Sequence, residues 1–226
     1  MTEPRIISLK NVFGLNAKVK NNIWYINDGC VVYPSGRCLV FHQSNGVRKI
    51  RTGSDSTEGI SSLCLSPNRK YLAVAEKTKS LSSTVKVNDL KKNPPIIKLY
   101  ETTNNTVKKT ISHPGVGSHE FVCIAFSQDG KYLVAQGGGP EYNLVLWSME
   151  GKTRVIDTIC TSSVDGDPVF QCSISPDNKT ICVTGNGIFK LLTVDEREKL
   201  KVIVDGIAKK IDKPGPNTFW YVTFFS

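Results

Sequence analysis

His113 and His119 bracket a glycine-rich loop, His113-Pro-Gly-Val-Gly-Ser-His119. Two imidazoles on one loop could begin a zinc site, but no acid or thiol is placed to complete four ligands. The seven cysteines, at 30, 38, 64, 123, 160, 172 and 182, are odd in number, and no two are spaced Cys-x-x-Cys. Several sit inside apolar runs, where a thiol behaves as a small hydrophobe, so buried free thiols in a reducing compartment are expected. Gly137-Gly-Gly-Pro lacks the Gly-Lys-Ser/Thr ending and the following helix of a phosphate cradle, and reads as a hairpin loop. Asp165-Gly-Asp167-Pro is too short for a calcium loop and has no distal Glu. There is no Gly-x-Ser-x-Gly elbow, and no Cys–His pair follows from spacing. The chain is therefore expected to be no enzyme, with no catalytic, cofactor-binding or metal-ligating residues.

The elements that would position any site are legible in three repeated stretches. They are Ile60-Ser-Ser-Leu-Cys-Leu-Ser-Pro-Asn-Arg-Lys-Tyr-Leu-Ala-Val, Phe121-Val-Cys-Ile-Ala-Phe-Ser-Gln-Asp-Gly-Lys-Tyr-Leu-Val-Ala and Phe170-Gln-Cys-Ser-Ile-Ser-Pro-Asp-Asn-Lys-Thr-Ile-Cys-Val. Each is an alternating apolar run, a turn of the form Ser-x-Asx-x-Lys or a near variant, and a second apolar run. A repeated hairpin of this kind marks a β-propeller. Helical periodicity is hard to find, so the expected class is all-β.

Four units follow, at about 20–52, 59–112, 119–161 and 168–206, each four short strands joined by turns. Asn27-Asp-Gly and Ser44-Asn-Gly supply the φ > 0 positions of tight hairpins in the first. The second carries a polar insert from Lys77 to Pro95. The repeated serines, at 66, 127 and 175, lie somewhat further apart than the roughly 40–45 residues of an unadorned blade. Arg5-Ile-Ile-Ser-Leu reads as a lone strand, and Asn217–Ser226 as the first strand of a further blade. About four blades plus a strand predicts an incomplete propeller. The expectation is the opening part of a longer ring; closure as an unusual small ring is the alternative.

At 226 residues, 39% apolar and 22% charged, the chain can bury a real core. No apolar run reaches the roughly 20 residues that span a bilayer, and the N-terminus lacks a signal-peptide pattern, so no membrane association and a cytosolic setting are expected. The net charge of +9 gathers at Lys77/Lys79, Lys91/Lys92, Lys108/Lys109 and Lys209/Lys210/Lys213. No aromatic residues interleave with these lysines to stack on bases, so an acidic protein surface is favoured over nucleic acid.

Unit three, Ile124-Ala-Phe-Ser-Gln-Asp-Gly-Lys-Tyr-Leu-Val-Ala followed by Leu144-Val-Leu-Trp147, resembles the WD40 repeat. Tyr100 and Leu192 stand where the other units would carry the Trp, Ser148 replaces the closing Asp, and Ser118-His119 is the nearest match to Gly-His. The segments Val12-Phe-Gly-Leu, Val31-Val-Tyr-Pro-Ser-Gly, Pro140-Glu-Tyr-Asn-Leu-Val-Leu-Trp and Cys182-Val-Thr-Gly-Asn-Gly-Ile-Phe-Lys-Leu-Leu are similar to a family of cilia- and flagella-associated WD-repeat proteins. That resemblance covers about residues 5–195. It implies a non-enzymatic scaffold of the motile ciliary axoneme, located in cytoplasm and cytoskeleton. It also implies help in assembling or docking inner-arm dynein components on doublet microtubules, with tubulin a partner. Candidate partner contacts are Lys77, Lys79, Lys91, Lys92, Glu141 and Tyr142. A general cytosolic interaction module in a non-ciliary complex is the alternative. The oligomeric state is not readable from the sequence.

Overall fold

The computed structural model describes residues 14–52, 57–79, 87–163, 166–195 and 197–206. The strands expected at Arg5–Leu9 and Asn217–Ser226 lie outside these residues. Among the described residues sixteen strands make four antiparallel sheets, with one short helix in a connection. Blade 1 is β1 (Trp24–Asn27), β2 (Cys30–Ser35), β3 (Cys38–Gln43) and β4 (Gly46–Arg51). Blade 2 is β5 (Thr57–Leu65), β6 (Tyr71–Thr78), β7 (Ile96–Glu101) and β8 (Thr106–Ser112), with α1 (Val87–Lys92) inserted between β6 and β7. Blade 3 is β9 (Phe121–Phe126), β10 (Tyr132–Gly137), β11 (Asn143–Ser148) and β12 (Arg154–Cys160). Blade 4 is β13 (Val169–Ile174), β14 (Thr180–Gly185), β15 (Ile188–Val194) and β16 (Leu200–Gly206). Within every blade each strand pairs with the next in the chain.

The core lies between blades. One apolar layer joins blades 1 and 2, with Val32, Leu39 and Phe41 against Leu63, Leu72 and Val74. A second joins blades 2 and 3, with Ala73, Ala75, Ile97 and Leu99 against Phe121, Leu133, Val145 and Trp147. A third joins blades 3 and 4, with Val134, Leu144 and Leu146 against Ile181, Val183 and Leu192. Successive side chains of a strand point to opposite faces, so β6 sends Leu72 and Val74 one way and Ala73 and Ala75 the other. That two-sided burial explains why β6 and β11 read as unbroken apolar runs. Tyr100, Trp147 and Leu192 occupy matching positions, each facing the preceding blade, and Trp147 meets Phe121 edge-on with centroids 5.8 Å apart. Four blades with three layers form an open arc: among the described residues no strand of blade 1 pairs with blade 4. The incomplete propeller expected from the repeats is the architecture observed.

The repeated Ser-turn is one geometry built three times. The backbone N–H groups of Tyr71, Tyr132 and Thr180 donate to the hydroxyls of Ser66, Ser127 and Ser175, each at 2.9 Å. Each hydroxyl donates in turn to the Asx side chain two residues on, Asn68, Asp129 or Asp177. The same Asx oxygen accepts the backbone N–H of Lys70, Lys131 or Lys179. These are Asx-type turns that satisfy the hairpin's backbone locally. The residue before each lysine takes a left-handed conformation: Arg69 at φ 56°, Gly130 at 73° and Asn178 at 61°. Gly is the unstrained choice there, Asn is tolerated, and Arg stores strain.

Blades 3 and 4 are also latched by Asp157 on β12. Its carboxylate accepts the Leu200 backbone N–H at 2.8 Å and the Lys199 ammonium at 3.1 Å. Burial works to raise its pKa, but those donors hold it below the ordinary 3.8.

Two predictions follow from these local contacts. Arg69→Gly should stabilise the chain by about 1 kcal/mol and Gly130→Ala should cost about the same, each shifting the melting temperature by roughly 2–4 °C in calorimetry. Nothing lies within 4 Å of a Cβ built on Gly130, so its cost is conformational. The depressed pKa of Asp157 means that its contribution is complete above the ordinary carboxylate value and is lost as pH falls through the lower folded value. Asp157→Asn should therefore lower the melting temperature at neutral pH and flatten its fall below pH ~4; an unchanged acid profile would remove the latch from the account.

Candidate functional site

Antiparallel hairpins send the ends of β6, β8, β10 and β12 and the starts of β7, β9 and β11 to one rim of the arc. That rim collects α1, the 113–120 connection and the 138–142 loop, and with them the candidate contact residues. α1 carries Asp89 in its first turn and Lys91 and Lys92 in its last, the order that suits the helix dipole. Leu90 anchors it as a buried side chain. Thr78 ties the insert to blade 3. Its N–H donates to His119 O at 2.9 Å, and its hydroxyl lies 3.2 Å from the carbonyls of both His119 and Asn93.

Carboxylates meet most of the basic candidates. Lys91 Nζ lies 2.8 Å from Glu141 Oε1, and Lys77 Nζ lies 3.8 Å from Glu120 Oε2. Lys92 sits 3.9 Å from Asp89 on its own helix, while Lys79 is exposed and has no ion-pair partner among the described residues. Glu141 is also held from below, where Asn143 Nδ2 donates to its Oε2 at 2.9 Å. A Cβ at Gly117 would lie 2.5 Å from that carboxylate, so a side chain there would push Glu141 off its seat. Lys91 and Glu141 are therefore one local unit. Lys77 belongs to a second pair nearby.

Tyr142 is fixed from behind. It takes φ 49°, its N–H donates to Gly138 O at 3.1 Å, and its ring packs on the layer between blades 3 and 4. Its carbonyl accepts the Thr161 hydroxyl at 2.7 Å and the amide of fully buried Gln136 at 2.9 Å. The short helix α1 and the Gln136–Thr161 support are what sequence reasoning missed at this rim. Asp89 followed by Lys91-Lys92 was the one available signal for α1.

The two loop histidines diverge in role. Burial lowers the pKa of His113, which lies over Gly115, and His119 contributes its backbone carbonyl to Thr78. Among the described residues no three His, Cys, Asp or Glu side chains gather closely enough to hold a metal ion. The thiols are free and, except for Cys160, buried; burial pushes Cys64 up to about 12 and Cys182 to about 11, so both are neutral near pH 7. A cavity of about 550 Å³ opens where the inner strands β1, β5, β9 and β13 converge. Its walls carry apolar, hydroxyl, amide and thiol groups with Arg69 at the edge, and no carboxylate or imidazole. The rim can offer paired charges, backbone groups and a fixed loop to a macromolecular partner. Among the described residues, no helix is long and apolar enough to cross a membrane.

Comparison with known proteins agrees with this architecture. Residues 47–89 match the WD domain, G-beta repeat family. The match begins on β4 and runs through β5 and β6 into α1, so the sequence repeat takes in the outer strand of one blade and inner strands of the next. A solved structure from Bacteroides uniformis, described as a 6-phosphogluconolactonase, superimposes with a TM-score of 0.61 at 15% identity. The superposition covers 85% of this chain and 55% of that one, a likeness of fold alone. The Tetrahymena thermophila cilia- and flagella-associated protein 57 C is 27% identical over 81% of this chain. The mouse cilia- and flagella-associated protein 57 is 34% identical over 190 residues, 82% of this chain. The matched stretch spans 14% of the length of each of these two relatives. By its repeats, its blades and this identity along most of its length, the chain is similar to a WD-repeat stretch of the cilia- and flagella-associated protein 57 family.

Proposed function

We propose that the chain is a non-enzymatic scaffold segment of the cilium or flagellum. In this reading it presents the rim of its blades to axonemal proteins and supports the assembly or docking of inner dynein arms on doublet microtubules. The observation that carries the reading is similarity to ciliary WD-repeat proteins across most of the chain, joined to a rim whose residues are built for display. Stacked blades supply rigidity, so loops are offered with little ordering cost on binding. Lys77, Lys79, Lys91, Lys92, Glu141 and Tyr142 are the proposed contacts, with Tyr142 and the Lys91–Glu141 pair setting the loop's shape. Rim charges of this type act on encounter rate and orientation more than on final affinity.

A tagged chain expressed in a cell with motile cilia should stay with the axoneme after detergent extraction and leave it as salt is raised. Diffuse signal and recovery in the detergent-soluble fraction would instead favour a non-ciliary WD-repeat module. The exchange variant Lys91→Glu with Glu141→Lys separates seat from contact. It should restore the ion pair, with stability within about 1 kcal/mol of the parent, yet leave axonemal retention reduced. Full retention by the exchange variant would remove this pair from the contact surface.

A further inference from the structure

The opposite rim of the arc, formed by the Ser-turns and the outer hairpin turns, carries a groove between blades 2 and 3. Its volume is about 300 Å³. Tyr71 and Leu99 line it from blade 2, and Phe126 and Met149 from blade 3. It runs outward to Lys108, Lys109 and Thr153. Leu99 is buried, whereas Phe126 and Met149 are partly exposed and Tyr71 is 39% exposed. The apolar walls are thus continuous with the layer between the two blades and open to solvent at one end.

Charge at this rim differs from charge at the other. There, Lys77, Lys91 and Lys92 each meet a carboxylate. Beside the groove, Lys109 Nζ donates to Thr153 Oγ1 at 2.6 Å, an uncharged partner that fixes the ammonium across the blade boundary without neutralising it. Arg69 and Lys70 follow the lining residue Asn68, and Lys152 follows Gly151. All three are exposed, and none has an ion-pair partner among the described residues. Lys108 pairs with Glu101 at 2.9 Å and Lys131 with Glu150 at 3.3 Å. Asp129 is committed to the Ser127 turn. Lys108 and Lys109 line the slot, Lys152 is the chain neighbour of its lining residue Gly151, and no carboxylate among the described residues lines it.

We propose that this groove docks an acidic, extended peptide segment of a partner protein. One aliphatic side chain of the peptide enters between the blade 2 wall of Tyr71 and Leu99 and the blade 3 wall of Phe126 and Met149, while flanking carboxylates meet Lys109 and Lys152. The charge complementarity selects the occupant. A second copy of this basic rim would be repelled, and a nucleic acid would find the single tyrosine Tyr71 at the slot and no ladder of exposed rings. The lysines beside the slot steer an acidic chain inward, and the desolvated apolar anchor slows its departure. The inference deepens the scaffold reading and rests on it, since it gives that scaffold a second contact surface remote from α1.

The test is fluorescence anisotropy with the full chain and a labelled glutamate-rich peptide carrying one leucine. Binding should weaken steeply as ionic strength rises past ~0.1 M, because the contacts are exposed charges. Lys108→Glu with Lys109→Glu should weaken it by about tenfold or more, and Lys152→Glu, on an exposed turn where folding is not at stake, by a lesser but clear factor. Lys79→Glu on the opposite rim should stay within about twofold of the parent. Replacing the peptide's glutamates by glutamine, or its leucine by glycine, should each weaken binding. Equal binding by the lysine variants, equal binding of the glutamine peptide, no binding at low salt, or displacement by an RNA of matched charge would each overturn the proposal. Because the titration uses purified chain, its failure leaves axonemal retention untouched, and loss of axonemal retention leaves the titration untouched.

Discussion

The fold depends on apolar contact between the faces of neighbouring sheets. A four-stranded sheet with two apolar faces gains its stability as neighbouring sheets cover those faces. Blade 2 is covered by blade 1 on one side and blade 3 on the other, and blade 3 by blades 2 and 4. Leu72 and Ala73, adjacent in sequence, lie in different layers. The small alanines of β6 allow Trp147 and Phe121 to approach from blade 3, so large and small side chains alternate across the layer. Three layers for four blades leave the two end blades each with a single partner among the described residues.

The two rims then do different work on one frame. Ser-turns close the hairpins at one rim with short, locally satisfied loops. At the other rim the connections are longer, and their side chains pair with one another across blades: Lys91 with Glu141, Lys77 with Glu120, and Thr78 with the backbone of His119. Charge that the sequence places on both rims is thereby mostly cancelled on one and left standing beside an apolar slot on the other. Lys109 shows how: its nearest polar group is a threonine hydroxyl, not a carboxylate.

Much of the fold was legible from residue order. Alternation and the Ser-x-Asx-x-Lys turn are local, and the structure realises them with local hydrogen bonds, from the Tyr71 N–H to Ser66 and from the Tyr132 N–H to Ser127. The equivalence of Tyr100, Trp147 and Leu192 was also readable, since each follows its hairpin at a matching place. α1 was not, because six residues are too few to display a helical period, and this helix is secured by burial of Leu90 and by Glu141, far along the chain. The partners of the basic clusters escaped for the same reason. No spacing rule joins Lys91 to Glu141 or Lys109 to Thr153; only the stacking of blades brings them within reach. The groove that Tyr71 and Leu99 share with Phe126 and Met149 belongs to two blades and to neither sequence repeat.

The claim beneath all of this is that stability resides in the layers between blades, shared by the blades each layer joins. Native-state hydrogen exchange measured strand by strand tests it most directly. The account predicts the slowest exchange in β6, β10 and β11, whose blades are covered on both faces, with β3 and β14 of the end blades opening at lower free energy. Equal protection in all four blades, or slowest exchange in blade 1 or blade 4, would contradict it.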